Sequence, residues 1–223
     1  MLLLPYLAGL RVGLDWLQIP LLIGWLTGWL FSYHALLAVK TRRFARVRVQ
    51  TLTYGAICAT MLLPVVVLRP ALFWFAPAFA VLLAVNVVMV RGGRERAALN
   101  GMVSVTMASL MPMIVPATAK LDWAMGIWVA VVAWLYLAGS VFHVKSMIRE
   151  HGSVPHRVAS AIYHTAALGV AVFIWPWLAI PFGIALVRAL VLPARPRMRI
   201  AVVGGAEVGM SLVVLGFLLT MPA

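Results

Sequence analysis

The 223-residue chain is 65% hydrophobic and only 10% charged, with a mean hydropathy of +1.06. Soluble globular domains carry about 25% charged residues, so a water-soluble enzyme or binding module is excluded and an integral membrane protein is expected. The formal charge of +13 does not point to nucleic acid, because the 18 Lys and Arg are scattered in short clusters between apolar runs instead of forming one basic face.

The first apolar run, Met1–Leu10, has no basic region before it and no small-residue cleavage pattern after it, so it reads as mature structure and not as a signal peptide. Eight longer apolar segments follow, seven near the ~20 residues that a spanning helix needs and one somewhat shorter. They are Trp16–Val39, Thr51–Leu68, Ala71–Val90, Ala98–Ala119, Trp123–Phe142, Val158–Trp175, Leu178–Leu192 and Ile200–Met221. The joins are short and carry turn or interface residues, such as Arg69-Pro70 and Pro176 between two tryptophans. Cys58, the sole cysteine, lies within an apolar run, so no intrachain disulfide can form.

Cytoplasmic connections carry the excess of Lys and Arg. Taking the first full span as running inward, alternate connections hold fifteen of the eighteen cations, and only Arg11, Arg69 and Lys120 fall outside. Trp16, Trp74, Trp123, Trp175 and Trp177 all land at the opposite ends, where indole rings favour the interface. Both signals give the same orientation, with the carboxyl end extracytoplasmic in a multi-pass protein of the bacterial inner membrane. On that plan Met1–Leu14 is the second half of a span whose beginning lies before Met1.

The stretches "MLLLPYLAGL", "FHVKSMIREHG" and "HRVASAIYHTAAL" resemble recurrent stretches of the YwiC-like integral membrane proteins of bacteria, and the resemblance covers essentially the whole chain. In that family a short segment of the type His-Gly-Ala-Trp-Ala normally precedes the first stretch, which implies nine spans in an untruncated chain. The family has no assigned activity. The expected fold is therefore all-α: a single polytopic transmembrane helix bundle over residues 1–223, with eight full spans and a partial one. A nine-span plan resembles that of the UbiA-type prenyltransferases, which hold a prenyl diphosphate through magnesium on two aspartate-rich motifs. The corresponding stretches, Ser32–Arg43 and Gly139–Glu150, contain no acid in the first and only Glu150 in the second. Without paired carboxylates nothing hard and anionic is available for Mg²⁺, so no metal site is expected.

Polar groups inside a bilayer are costly and usually face the bundle interior. With a rise of ~1.5 Å per residue, His34 lies about 9 Å from Lys40, His164 about 10 Å from Arg157 and Glu207 about 12 Å from Arg199. Asn86, Tyr33, Tyr54, Tyr163, Ser140 and His143 fall in the same cytoplasmic half, and the outer half offers nothing comparable. Glu207 is the sole acid within a span and reads as a proton acceptor or counter-ion to His34 or His164, or else as a protonated Glu bonded to a carbonyl. Gly24 with Gly28, and Gly205 with Gly209, have the spacing of close helix contacts.

Lys40, Arg42, Arg43, Lys145 and Arg149 form the other candidate site. If Ser32–Arg43 and Gly139–Glu150 face one cavity, these cations would hold a phosphate directly by charge-assisted hydrogen bonds. The leading expectation is thus a cytoplasm-facing cavity that binds, or also modifies, a prenyl or lipid phosphate or diphosphate, with membrane lipids as partners and no cofactor. The alternative is a proton-coupled small-molecule transporter using Glu207, His34 and His164. A third reading is a b-type haem ligated by His34 and His164.

Overall fold

The structure, a computed structural model, describes residues 2–94, 97–194 and 198–222. Arg96, Arg195 and Arg197, three of the cations in the basic connections, lie outside the described residues. Ten α-helices follow in order: α1 (Leu3–Leu10), α2 (Gln18–Thr41), α3 (Arg48–Leu68), α4 (Ala76–Arg91), α5 (Ala98–Ser109), α6 (Met111–Thr118), α7 (Ile127–Ile148), α8 (Val154–Ile174), α9 (Ala179–Val191) and α10 (Ile200–Thr220). Short 3₁₀ turns at Pro70–Phe75, Trp123–Gly126, Pro176–Leu178 and Leu192–Ala194 extend three of the spans, the last two at opposite ends of one. Among the described residues, eight stretches are long and apolar enough to cross a membrane, and the chain forms the all-α, multi-pass bundle expected of it.

Proline sets most of the irregularities. Pro112 stands in the first turn of α6; lacking an N–H, it breaks the ladder, so the span Ala98–Thr118 is built of two helices, α5 and α6, joined at Leu110. Pro176 likewise ends α8, because the residue before a proline is pushed out of the helical region, and Trp175 is extended at φ −157° and ψ 116°. The connection between the segments ending at Phe142 and beginning at Val158 is mostly helix: α7 runs six residues past Phe142, and α8 begins four before Val158. His143 and Lys145 therefore sit on α7, and His156 and Arg157 on α8.

α7 is the central helix, with 56% of its span buried. It packs on α5, α8 and α10, and one apolar core joins it to α1 through Leu4 and Ala8, to α8 through Ala167 and Ala171, and to α10 through Met210, Val214 and Leu218. A second, smaller core gathers Tyr6, Leu17, Leu21, Val65, Leu72, Met111, Ile114 and Val115 from α1, α2, α3 and α6. The spans of α2, α3 and α4 bury only 6% to 11% of their windows, so this half is open to lipid.

The seam between α2 and α3 is close. A methyl group on Gly24 would come within 2.5 Å of the Leu62 side chain, and one on Gly28 within 3.1 Å of Cys58 Sγ, as the small-residue spacing predicts. Gly205 and Gly209 differ: nothing lies within 4 Å of either position, and both are exposed on α10. Their spacing marks an open face, because α10 turns only the stripe Val203, Met210, Val214 and Leu218 into the core.

The tryptophan-bearing end carries a polar knot that the sequence reading placed nowhere. Asp15 Oδ1 accepts from the Leu17 N–H at 2.8 Å, and Gln18 Oε1 accepts from the Asp15 N–H at 3.0 Å, a reciprocal pair resembling a capping box in the turn just before α2. The buried Gln18 amide donates to the Gly13 and Val115 carbonyls, and Tyr6 Oη donates to the Gln18 carbonyl. Arg69 pairs with Asp15 Oδ2 at 3.1 Å and donates to the Thr118 carbonyl at 2.6 Å, while Arg11 donates to the Leu218 carbonyl. Two cations that depart from the charge rule thus close the last carbonyls of α6 and α10, which have no partner within their own helices.

Arg69→Ala should therefore destabilise the detergent-solubilised protein by about 1.5–3 kcal/mol, the usual worth of hydrogen bonds to a charged group. Arg69→Lys should recover less than half of the loss, because an ammonium cannot reproduce the guanidinium fork that reaches Asp15 and Thr118 together. Thermal unfolding of the three proteins checks this.

Candidate functional sites

Two groups of candidate residues emerge, on different seams of the bundle. The first lies where α7, α9 and α10 meet, with α8 at its edge. Glu207, eight residues into α10, receives a hydrogen bond from Ser140 Oγ of α7 and forms an ion pair with the Arg188 guanidinium of α9. His143 Nε2, on α7, lies 3.9 Å from the same carboxylate oxygen that Arg188 holds. One turn further in, Tyr136 Oη lies 3.0 Å from Ser211 Oγ and 3.4 Å from the Glu207 carbonyl. His164 of α8 turns Nδ1 to the Ser160 carbonyl at 2.7 Å, and its Nε2 lies over Gly139, where a Cβ would approach within 3.1 Å. These groups line a cavity of about 10 Å³, which has room for about one water molecule.

Arg188 is the residue that sequence reasoning missed. It was counted only as a charge in a basic connection, although it lies within the apolar segment Leu178–Leu192. The usable signal was depth: Arg188 is six residues before Ala194 at the end of one span, and Glu207 is seven after Ile200 at the start of the next. In antiparallel neighbours that spacing places them at the same level, about 10 Å from the basic end. The pairing also answers how a carboxylate persists there, since an unpaired charge at mid-bilayer costs about 3 kcal/mol even on the lenient insertion scales.

His34 and Tyr33 do not join this group. His34 Nδ1 bonds the Leu30 carbonyl at 2.8 Å, and its ring stacks on Tyr54 of α3 with centroids 5.4 Å apart. Tyr33 is exposed. A haem held by His34 and His164 would need α2 beside α8, whereas α2 packs on α3 and α4, and α8 on α7 and α9. The ion-pair partner of Glu207 is Arg188; His164 lines the same cavity without pairing with it, and His34 lies on another seam. Tyr163 donates to the Leu135 carbonyl at 3.0 Å and tilts against Phe142, a packing contact between α7 and α8.

The second group lies between α2, α3, α4, α5 and α6. These helices enclose a cleft of about 640 Å³, almost wholly apolar, walled by Trp25 and Leu36 of α2, Phe79 and Leu83 of α4, and Met107 and Met111 of α5 and α6. Cys58 lines it, as does Asn86, whose amide reaches only the Met107 sulfur at 3.6 Å. Beyond the cleft, at the basic end of the same two helices, a basin of about 470 Å³ is lined by Ala38, Val39, Lys40, Arg42, Val90 and Arg91. Arg42 ends α2 in the left-handed conformation, at φ 53°, which turns the chain away and leaves the end of the helix accessible.

Lys145 and Arg149, expected to face the same cavity, stand at the end of α7. α2 packs on α3 and α4, whereas α7 packs on α5, α8 and α10, and the basin takes its further cation from Arg91 of α4. Arg43 follows Arg42 in the turn after α2 and does not line the basin.

A sequence profile for the family described as YwiC-like protein matches residues 1–116, just over half of the chain. A protein of Haemophilus influenzae, described only as an uncharacterized protein, is 27% identical over 199 residues, covering 87% of this chain and 83% of the relative. The "Uncharacterized protein YwiC" of Bacillus subtilis is 31% identical over 169 residues, covering 74% of this chain and 70% of the relative. No solved structure matches. Every residue lining the cleft and the basin lies between Leu2 and Ile114, within the matched region, and on these grounds the chain belongs to the YwiC-like family of multi-pass membrane proteins.

Proposed function

We propose that this protein binds an amphipathic anionic lipid, a prenyl or acyl chain ending in a phosphate or diphosphate, from the cytoplasmic side of the inner membrane. One observation carries the reading: a single face of α2 and a single face of α4 run from the apolar cleft directly into the basic basin. On α2 the series is Leu21, Gly24, Trp25, Gly28, Ser32, Leu36, Val39 and Lys40, broadened at the sides by Trp29, Phe31, Tyr33 and Ala38; on α4 it is Ala76, Phe79, Ala80, Leu83, Asn86, Val90 and Arg91. Both have the i, i+3/i+4 spacing of one helical stripe. A chain lying in the cleft would carry its head group to Lys40, Arg42 and Arg91. Neither α2 nor α4 contains an Asp or Glu, and on this reading the cations hold the phosphate directly. The positive-inside rule puts this end in the cytoplasm.

Cys58, the single cysteine, reports on the cleft. Farnesyl phosphate should slow alkylation of Cys58 by a lipid-soluble maleimide, and farnesol at the same concentration should slow it less. In Lys40→Gln/Arg91→Gln the protection should need at least tenfold more farnesyl phosphate, because each charge-assisted hydrogen bond contributes about 1.5–3 kcal/mol. Equal protection by the phosphate and the alcohol, or unchanged protection in the double variant, would refute the proposed head-group site.

A further inference from the structure

The α7–α10 cluster is separate from the cleft, whose lining includes no residue of α7, α8, α9 or α10, and its chemistry is different. Its centre is a carboxylate and a guanidinium in contact, with no net charge between them. Around them are polar atoms without partners. Arg188 Nε is buried and has no hydrogen-bond partner, and neither has Nδ1 of His143, a residue only 3% exposed. A guanidinium N–H can only donate, so the orphan on Arg188 calls for an acceptor that Glu207, already engaged with Ser140 and the other arm of the guanidinium, does not provide.

Charge limits what can bind. A proton added to Glu207 by itself would leave Arg188 as an unpaired cation within the span, and an anion added by itself would crowd Glu207; both are unfavourable at this depth. Taken up together, the two leave the site as neutral as before. We propose that this cluster is a binding site for one small monovalent anion taken up together with one proton. The proton goes to the Glu207 carboxylate, which gives up the guanidinium and keeps a hydrogen bond with Ser140. The anion takes the vacated place on Arg188, where a planar carboxylate meets two N–H groups at once.

The neighbours leave these roles to Glu207 and Arg188. Glu207 is faced from α7 by Tyr136, Ser140 and His143, from α9 by Arg188, and from the edge by His164 of α8. The contribution of α1 to α10 is Arg11, far along the helix at Leu218. The only permanent cation among these at the level of Glu207 is Arg188. His143 Nε2 stands 3.9 Å from the carboxylate, beyond direct hydrogen-bond reach, and its Nδ1 is buried without a partner.

Formate is the probe, being the smallest analogue of the Glu207 carboxylate. Thermal unfolding of the purified protein in detergent, with formate varied at constant ionic strength at pH 6 and pH 8, reads binding through ligand stabilisation. Wild-type protein should bind formate more tightly at pH 6 than at pH 8, by up to about tenfold per pH unit where one proton is taken up with each anion. Glu207→Gln, which fixes the neutral form, should bind formate equally at both pH values. Arg188→Gln/Glu207→Gln, neutral throughout and so not burdened with an unpaired charge, should not respond. A wild-type response independent of pH, a Glu207→Gln protein that fails to respond or responds only at pH 6, or a double variant that still responds would each overturn the proposal. None of these results bears on farnesyl phosphate at the cleft, so the two sites are tested separately.

Discussion

Arg188→Ala is expected to destabilise the bundle by about 3–5 kcal/mol, the cost of removing one partner from a buried ion pair. The loss is larger than the attraction itself would suggest, because Glu207 remains as an uncompensated charge inside the span. Ser140 supplies one hydrogen bond, and His143 stands 3.9 Å away; neither replaces a fixed cation. Glu207→Gln should cost clearly less. The glutamine amide oxygen can still accept from Ser140 and from Arg188, so no buried acceptor is removed. Replacing both residues with leucine or methionine should return most of the stability lost in Arg188→Ala, since apolar side chains of similar volume commonly substitute for buried ion pairs at little cost. Chemical unfolding of Arg188→Ala, Glu207→Gln and the double variant that combines these same two substitutions closes the cycle. A strictly additive double variant would mean that Arg188 and Glu207 do not depend on each other energetically.

That pair also marks how far the sequence could be read. The spans and their alternation were legible because two independent requirements, hydrophobic length and cation sorting, act on every segment. Helix ends were less so: charge in "HVKSMIRE" looks like a loop, yet α7 continues to Ile148, since a helix leaving the apolar layer keeps its backbone bonds while its side chains turn polar. Arg188 was assigned to topology because cations near span ends usually serve it, and only its depth relative to Glu207 argues otherwise. The reciprocal pair at Asp15 and Gln18 was visible as an acid followed three residues later by Gln. Its connection to Arg69 was not, being a contact across 54 residues. Adjacency is the general gap. Composition cannot say that α2 packs on α3 and α4 but α7 on α5, α8 and α10, which is why Lys145 and Arg149 were grouped with Lys40 and the basin's actual further cation, Arg91, was not.

Gly126→Ala should be the most damaging single methyl group in the protein. A Cβ at this position would lie 1.8 Å from the Pro112 carbonyl oxygen and 2.5 Å from its carbon. Those are backbone atoms, so no rotamer change relieves the clash. Nor can Pro112 retreat easily, because on another side Gly9 of α1 packs so closely that its own Cβ would stand 3.1 Å from the Pro112 Cα. The first turn of α6 is thus held between two glycines, at the point where Pro112 has already interrupted the helix. Overpacking a well-filled core costs about 1–3 kcal/mol when side chains can adjust; with backbone on the receiving side, about 3 kcal/mol or more is expected. The consequence reaches the cleft, since Met111 and Ile114 on this helix form part of its wall. Gly205→Ala and Gly209→Ala supply the contrast. Nothing lies within 4 Å of either position, so an alanine there should be tolerated or should stabilise α10 by up to about 1 kcal/mol through helix propensity. Thermal unfolding of the three variants, together with Cys58 alkylation as a measure of the cleft, should separate them: only Gly126→Ala should lose stability and alter access to Cys58. If Gly126→Ala behaves like the α10 variants, α6 does not approach the Trp123–Gly126 turn as closely as described.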